Sequence, residues 1–402
     1  MRVLILSHDY PPQMFGGIGT FANNLANALS KKGVGVVVLA GCPPRPLKTG
    51  VIAARTTVNK NLEVIRVPRM DFPPSRIWYQ LMNLNKIRHL VADFDIIHSQ
   101  DQSAFPIIGL CKKNRPEIPW VVTMHSNPVP ELYYSIRSVA SLESSVRDVF
   151  TNLVGFPLSD LAIRTESKFA DALVPVSEEL RREIRDQYRV AERKLFTIHN
   201  GVNVAELESE ARMNPLRGTY DDKVSILYAG RLYWSKGILH LLKSLFYLNV
   251  NLKFTNYQLR IFGEGPLRHK ISSLVSRYHL EKNVKLEGFV AHPELIAAMA
   301  GSDIVCIPSL YEACPMVMIE AMILGKPVVA FNRPFSQELL SGIPNAPVAR
   351  TIQDYAFQIH SLCTSENLRR KLGRRLREMT VKRFDVETMA ERYIEVYHNL
   401  LP

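Results

Sequence analysis

The 402-residue chain has only five cysteines, Cys42, Cys111, Cys306, Cys314 and Cys363. Odd in number, widely spaced and without a Cys-x-x-Cys pair, they exclude a disulfide framework and a zinc site and predict a reducing, cytosolic setting. Long hydrophobic runs are missing too. The longest, residues 314–331, is interrupted by Glu320 and Lys326 and falls short of the roughly 20 apolar residues that a spanning helix needs. The opening run, residues 1–6, is too short for a signal peptide and reads as a first strand. No fixed-period repeat and no low-complexity segment is present, which excludes a solenoid. Negative charge is in deficit: 38 Asp and Glu against 50 Lys and Arg leave +12, a balance that favours anionic partners such as phosphates or an acidic membrane surface. No aromatic and basic single-strand platform or helix-turn-helix pattern accompanies that charge, so nucleic acid is not the expected partner.

What is present is an ordinary folding composition, with 47% hydrophobic residues and therefore enough apolar surface to exclude disorder as the main state. Short β-branched runs alternate with helical patterns, the mark of βαβ units and parallel sheets. Strands are predicted at residues 3–6, 34–39, 62–67, 95–98, 121–124, 172–176 and 196–199, with a helix over 20–32 that carries Phe21, Leu25, Ala28 and Leu29 at helical spacing. Asn200-Gly201 reads as a turn of positive φ. The polar stretch 214–222 reads as a linker, after which strands are predicted at 224–229, 258–262, 284–286, 304–308 and 328–331. The fold class is α/β: two Rossmann-like parallel-sheet domains, residues 1–212 and 213–385, with a last helix near 386–402. Two such sheets suggest a cleft, because ligands bind where parallel strands end and helices begin.

The loops at those ends carry the chemistry. Gly16-Gly17-Ile18-Gly19 lets a phosphate or sugar approach backbone N–H groups at the positive end of a helix. Its spacing is wrong for a dinucleotide fingerprint, and the strand ending Leu39-Ala40-Gly41 has no acidic residue for a ribose, which excludes an NAD enzyme. Arg231 and Lys236 flank a helix start and form a candidate anion clamp, one a planar fork and the other a point charge. Gly263-Glu264-Gly265-Pro266 sits between a strand and a helix, where its glycines permit close approach. Glu320 lies on an apolar helix with Met316, Val317, Ile319, Met322 and Ile323, and its carboxylate is costly there unless partnered. Glu312 precedes the same helix, where free backbone donors point out. Two carboxylates around a helix N-terminus suit a ligand with diol ends and an anionic middle.

Together these motifs resemble the retaining glycosyltransferases of family 4, whose GT-B fold has two facing Rossmann-like domains. The resemblance rests on Gly16 to Gly19, His125 after a strand, Asn200-Gly201-Val202, Arg231 with Lys236, Gly263-x-Gly265 and the Glu-x7-Glu signature at Glu312 and Glu320. It implies that Arg231 and Lys236 hold the donor diphosphate with the backbone N–H groups of Met316 and Val317. Glu320 would take the ribose hydroxyls, Glu312 the hydroxyls of the transferred sugar, and His125 the sugar near the reacting carbon. Gly16 and Gly17 would pack by the diphosphate, the backbone near Val290 would meet the base, and the last helix would cross back onto the first domain. The resemblance also implies a nucleotide-sugar donor, no cofactor and no metal. Ala313 stands at a common glycine, and Asn332-Arg333-Pro334-Phe335 replaces a Gly-Gly pair, while His292 at the base edge tilts the reading from GDP-sugar toward UDP-sugar.

Other readings stay open at this point. Asp93-Phe94-Asp95 is a metal-type pattern on another fold, but Asp95 runs into a buried strand. His98 and His199 read as satisfied core histidines. Residues 76–92 place Ile77, Trp78, Leu81, Leu84 and Leu90 among Arg76, Lys86, Arg88 and His89, either a core-facing helix or a peripheral contact with an anionic membrane. The acceptor is a sugar, a lipid-linked sugar or another hydroxyl. A sugar-nucleotide epimerase and a non-catalytic nucleotide-sugar-binding module are the competing functions.

Overall fold

The computed structural model of the chain describes residues 1–12, 16–42, 55–69, 75–140, 146–213 and 223–402. The chain forms two compact units. The first comprises Met1–Leu132, Thr151–Gly201 and Val386–Pro402, and the second Tyr133–Phe150 and Val202–Asp385. The helix Val204–Met213, placed with the first domain by the sequence, thus belongs to the second unit. The expected linker, 214–222, lies outside the described residues.

The first sheet holds β1 (Arg2–Ser7), β2 (Gly35–Cys42), β3 (Arg55–Asn59), β4 (Leu62–Pro68), β5 (Ile96–Gln100), β6 (Trp120–Met124) and β7 (Ala172–Pro175) in the order β3-β4-β2-β1-β5-β6-β7. The second holds β8 (Val224–Ala229), β9 (Tyr257–Phe262), β10 (Val284–Gly288), β11 (Ile304–Ile307), β12 (Val328–Phe331) and β13 (Val348–Ala349) in the order β10-β9-β8-β11-β12-β13. Every pairing is parallel except β3 with β4. Strands covered on both faces are mostly apolar, which is why β1, β11 and β12 are rich in Val, Ile and Leu and buried almost end to end. In each sheet the direction of winding reverses once, between β1 and β5 and between β8 and β11. The loops that follow the strands at such a reversal are where open α/β sheets place their ligands.

The structure corrects several expectations. Residues 196–199 form no strand. Their backbone makes two bonds beside β7, from Phe196 N to Leu173 O and from Ile198 N to Pro175 O, and the ladder stops there. The first helix spans Gly17–Lys31, so Gly17 and Gly19 lie inside its first turn rather than in a loop before it. Gly201 is not in the left-handed region. It is needed for close approach instead: an added Cβ would sit 2.8 Å from Val386 Cα and 2.9 Å from Met389 Cβ. The segment 76–92 is two short helices, Ser75–Met82 and Leu84–Leu90, broken at buried Asn83, whose amide donates to the carbonyls of Pro68 and Tyr79. Leu81 is exposed, Ile87 is buried, and the side chains of Arg76 and Ile77 lie outside the description.

The last helix, Val386–Leu400, joins the core of the first unit. Val386, Met389, Ala390, Tyr393, Val396 and Tyr397 pack with Phe21, Leu25 and Val3.

Candidate functional site

In the second unit the loops after β8 and β11 meet at the point of strand reversal. Gly237, with φ at +65°, ends the first loop in the left-handed region, and a Cβ there would collide with the carbonyl oxygen of Pro308. A backbone bond from Leu310 N to Ser235 O, 2.8 Å, stitches the two loops together. That contact sets Lys236 beside Glu312, with Nζ 2.5 Å from Oε1. The Ser309 hydroxyl donates to the same oxygen at 2.9 Å. Glu312 is largely buried, so the ammonium and the hydroxyl satisfy a carboxylate that has lost most of its water. Arg231 is exposed and lies over the Tyr233 ring, 5.7 Å from its centroid, while the Tyr228 hydroxyl holds the Arg231 carbonyl at 3.2 Å.

The helix Met316–Ile323 starts four residues beyond Glu312. The N–H groups of Met316 and Val317 lie in its first turn, where no intrahelical acceptor exists. Glu320, 3% exposed, finds its partner in His292, whose Nε2 is 3.0 Å from Oε1. Val290 lies two residues before His292, in the loop after β10. Gly263 follows β9. A Cβ on it would collide with the Gly230 carbonyl oxygen, and one on Gly265 would press on the Leu232 backbone, so both glycines answer to the protein's own loop packing. Gly263 N also donates to Gly288 O at 2.7 Å, which ties the loops after β8, β9 and β10 into one rim.

In the first unit, His125 directly follows β6. Its Nε2 is 3.1 Å from Gln100 Oε1, its backbone N–H donates to Asp101 Oδ1 at 3.3 Å, and its ring stands edge-on to Phe21 at 4.7 Å. Phe21 comes from the Gly17–Lys31 helix, so the helix start and the imidazole share one end of the sheet. Gly16 precedes that helix in extended backbone, and a Cβ added there meets nothing within 4 Å. Packing among the described residues therefore does not require this glycine.

Comparison with known proteins decides the family. Residues 15–206 match the model for Glycosyltransferase Family 4, and residues 214–379 match that for Glycosyl transferases group 1. The chain belongs to the family-4 glycosyltransferases. The glycogen synthase of Mycobacterium tuberculosis is 24% identical over 99% of this chain and 94% of its own length. Among solved structures, sucrose-phosphate synthase from Thermosynechococcus elongatus superposes with a TM-score of 0.75 at 19% identity, covering 99% of this chain and 98% of the other. Anabaena HepE in complex with UDP and glucose gives 0.72 at 21% identity, covering 99% and 100%. The fold is GT-B.

In this glycosyltransferase the remaining sequence candidates have structural work. Asp95 receives the Arg2 backbone N–H at 2.7 Å, and the Arg2 guanidinium bonds the Asp93 carbonyl and lies over Phe94, so the Asp-Phe-Asp pattern anchors the start of β1. His98 is fully buried between the Tyr397 hydroxyl at 2.6 Å and Thr123 at 2.7 Å, and burial drives its pKa down to about 3. Ser309, Gln100, Asp101 and the partnership of His292 with Glu320 were not read from the sequence. Ser309 alone left a local signal, three residues before Glu312. The others meet across separate strands. Among the described residues no helix is long and apolar enough to cross a membrane.

Proposed function

We propose that this glycosyltransferase moves a hexosyl group from a nucleoside-diphosphate sugar, UDP-sugar in preference to GDP-sugar, to a hydroxyl of a carbohydrate or lipid-linked acceptor with retention of anomeric configuration and without a metal. The observation that carries the reading is the Lys236–Glu312 pair, 2.5 Å apart, at the strand reversal beside the Met316 helix start. A cation and unpaired helix N–H groups suit a diphosphate, and an adjacent carboxylate suits sugar hydroxyls. Relatives point the same way: the HepE structure contains UDP and glucose.

In this reading Arg231 and Lys236 take the charge that develops on the leaving diphosphate, with the N–H groups of Met316 and Val317. Gly16 and Gly17 pack by it, Gly263 holds the neighbouring loop close against Gly230, Glu320 binds the ribose and the backbone at Val290 meets the base. Glu312 orients the sugar and His125 contacts it near the reacting carbon. The acceptor oxygen bonds to the anomeric carbon on the face from which the phosphate oxygen departs, and that oxygen takes the acceptor proton. Catalysis is then chiefly preorganised electrostatics and positioning. A screen of α-linked UDP- and GDP-sugars, with product linkage read by NMR, tests it. An α-linked product formed in the presence of chelator is expected. A β-linked product refutes retention, a free epimerised nucleotide sugar refutes transfer, and activity restored only by magnesium refutes metal independence.

A further inference from the structure

The imidazole of His292 joins two carboxylates. Its Nε2 meets Glu320 Oε1 at 3.0 Å, and its Nδ1 lies 3.5 Å from Glu210 Oε2 on the Val204–Met213 helix. Both carboxylates are largely buried, with side chains 4% and 13% exposed. Only the protonated ring donates from both nitrogens. The groups facing it are acidic: Glu206 and Glu210 from one helix and Glu320 from a second, while Glu294, in the first turn of its own helix, is exposed. Glu208 is already paired with Arg212 and Arg377, and β8, packed behind, carries no charged side chain. The His292 pKa is accordingly raised above 6.5, chiefly by the hydrogen bond to Glu320, against its burial. The ring is 41% exposed, so it exchanges protons with solvent and water moderates the shift. The bond occupies Oε1 of Glu320 and leaves Oε2 without a partner among the described residues.

We propose that His292 is a positioning residue for the donor: its imidazolium, bridged between Glu320 and Glu210, fixes the Glu320 carboxylate so that Oε2 receives the ribose hydroxyls, and recognition of the ribose therefore weakens as pH rises. This rests on Glu320 being the ribose ligand. Without the proton, the ring loses one donor and the site gains a net negative charge, and Glu320 is held by a neutral hydrogen bond alone.

The test is calorimetric binding of UDP and of 2′,3′-dideoxy-UDP at a series of pH values from about 6 to about 9, a range that spans a raised histidine. The ratio of the two affinities isolates the ribose hydroxyls and cancels the ionisation of the phosphate. In the unmodified protein the ratio should be about tenfold at the acid end and fall threefold or more toward the alkaline end. His292→Gln should show a small ratio that does not change with pH, and Glu210→Gln should move the fall to lower pH. A ratio that ignores pH, or one that keeps its profile in His292→Gln, overturns the role of His292 and leaves Glu320 as the ribose ligand. A ratio of one at every pH overturns the ribose reading and the inference with it. Should His292→Gln fail to fold, Glu210→Gln decides: an unmoved profile overturns the proposal.

Discussion

Lys236 and Glu312 show how a single contact organises a site. A buried carboxylate needs a partner in the absence of ligand, and the partner it has is Lys236, the cation proposed above for the diphosphate. Each charge-assisted hydrogen bond is worth about 1.5–3 kcal/mol. Replacing Arg231 and Lys236 together by Ala should weaken UDP binding at least tenfold by calorimetry, and unchanged affinity would remove the clamp from the donor site. Glu312→Gln keeps the shape and the Ser309 contact but loses the charge. Turnover should then drop about a hundred- to thousandfold, while UDP affinity stays near that of the parent. Gly237 lets the two loops that carry them approach each other. Gly237→Ala forces a Cβ into the Pro308 carbonyl at a left-handed φ, and a loss of about 3–5 kcal/mol is expected in denaturant unfolding. An alanine variant as stable as the parent would show that the two loops can part without cost.

At the scale of elements, β5, β6 and the Val386–Leu400 helix are joined by a buried polar network. His98 bonds Tyr397 and Thr123, and Thr123 bonds Tyr393 at 2.8 Å. Burial, and secondarily the charge of His125, lowers the His98 pKa from 6.5 to about 3. The folded state therefore holds this ring neutral where the unfolded chain would protonate it. Its contribution is complete above about pH 6.5 and is lost as pH falls from there toward 3, at about 1.4 kcal/mol per pH unit. Thermal melts of the parent should steepen downward between about pH 6.5 and about pH 4.5, and His98→Gln should flatten that slope. Equal slopes in the two proteins would show that other groups carry the acid sensitivity. The residues that place His125 come from three places: Gln100 from β5, Asp101 from the 3-10 turn that follows it and Phe21 from the Gly17–Lys31 helix. Spacing along the chain does not announce such partners, because the sheet order that brings β5 beside β6 is a property of the whole fold.

Across the whole molecule, the chain leaves its first unit at Gly201 and returns to it at Val386. The return brings Met389, Tyr393 and Tyr397, each nearly or fully buried, into the core beside Phe21. Burying one such side chain stabilises by about 1.5–3 kcal/mol, so several together rival the 5–15 kcal/mol that holds a typical domain. A chain ending at Asp385 should lose the first unit to limited proteolysis while fragments of the second persist. Resistance of both units would show that the last helix is dispensable.

The fold class, nearly every strand of the two sheets, the last helix and the motifs at the loop ends were legible along the chain, because strand burial and helix periodicity are written locally as apolar pattern. That pattern did not reveal β3 or β13. The first is a wholly exposed edge strand, and the second is only two residues long. Only the tertiary structure showed that the glycines at 201, 237 and 263 serve backbone-to-backbone contacts rather than turns or ligands alone. The same holds for the partner of Glu320. The cost of burying that carboxylate follows from its apolar neighbours along the chain, but relief comes from His292, 28 residues away, which reaches it only after the parallel sheet has folded.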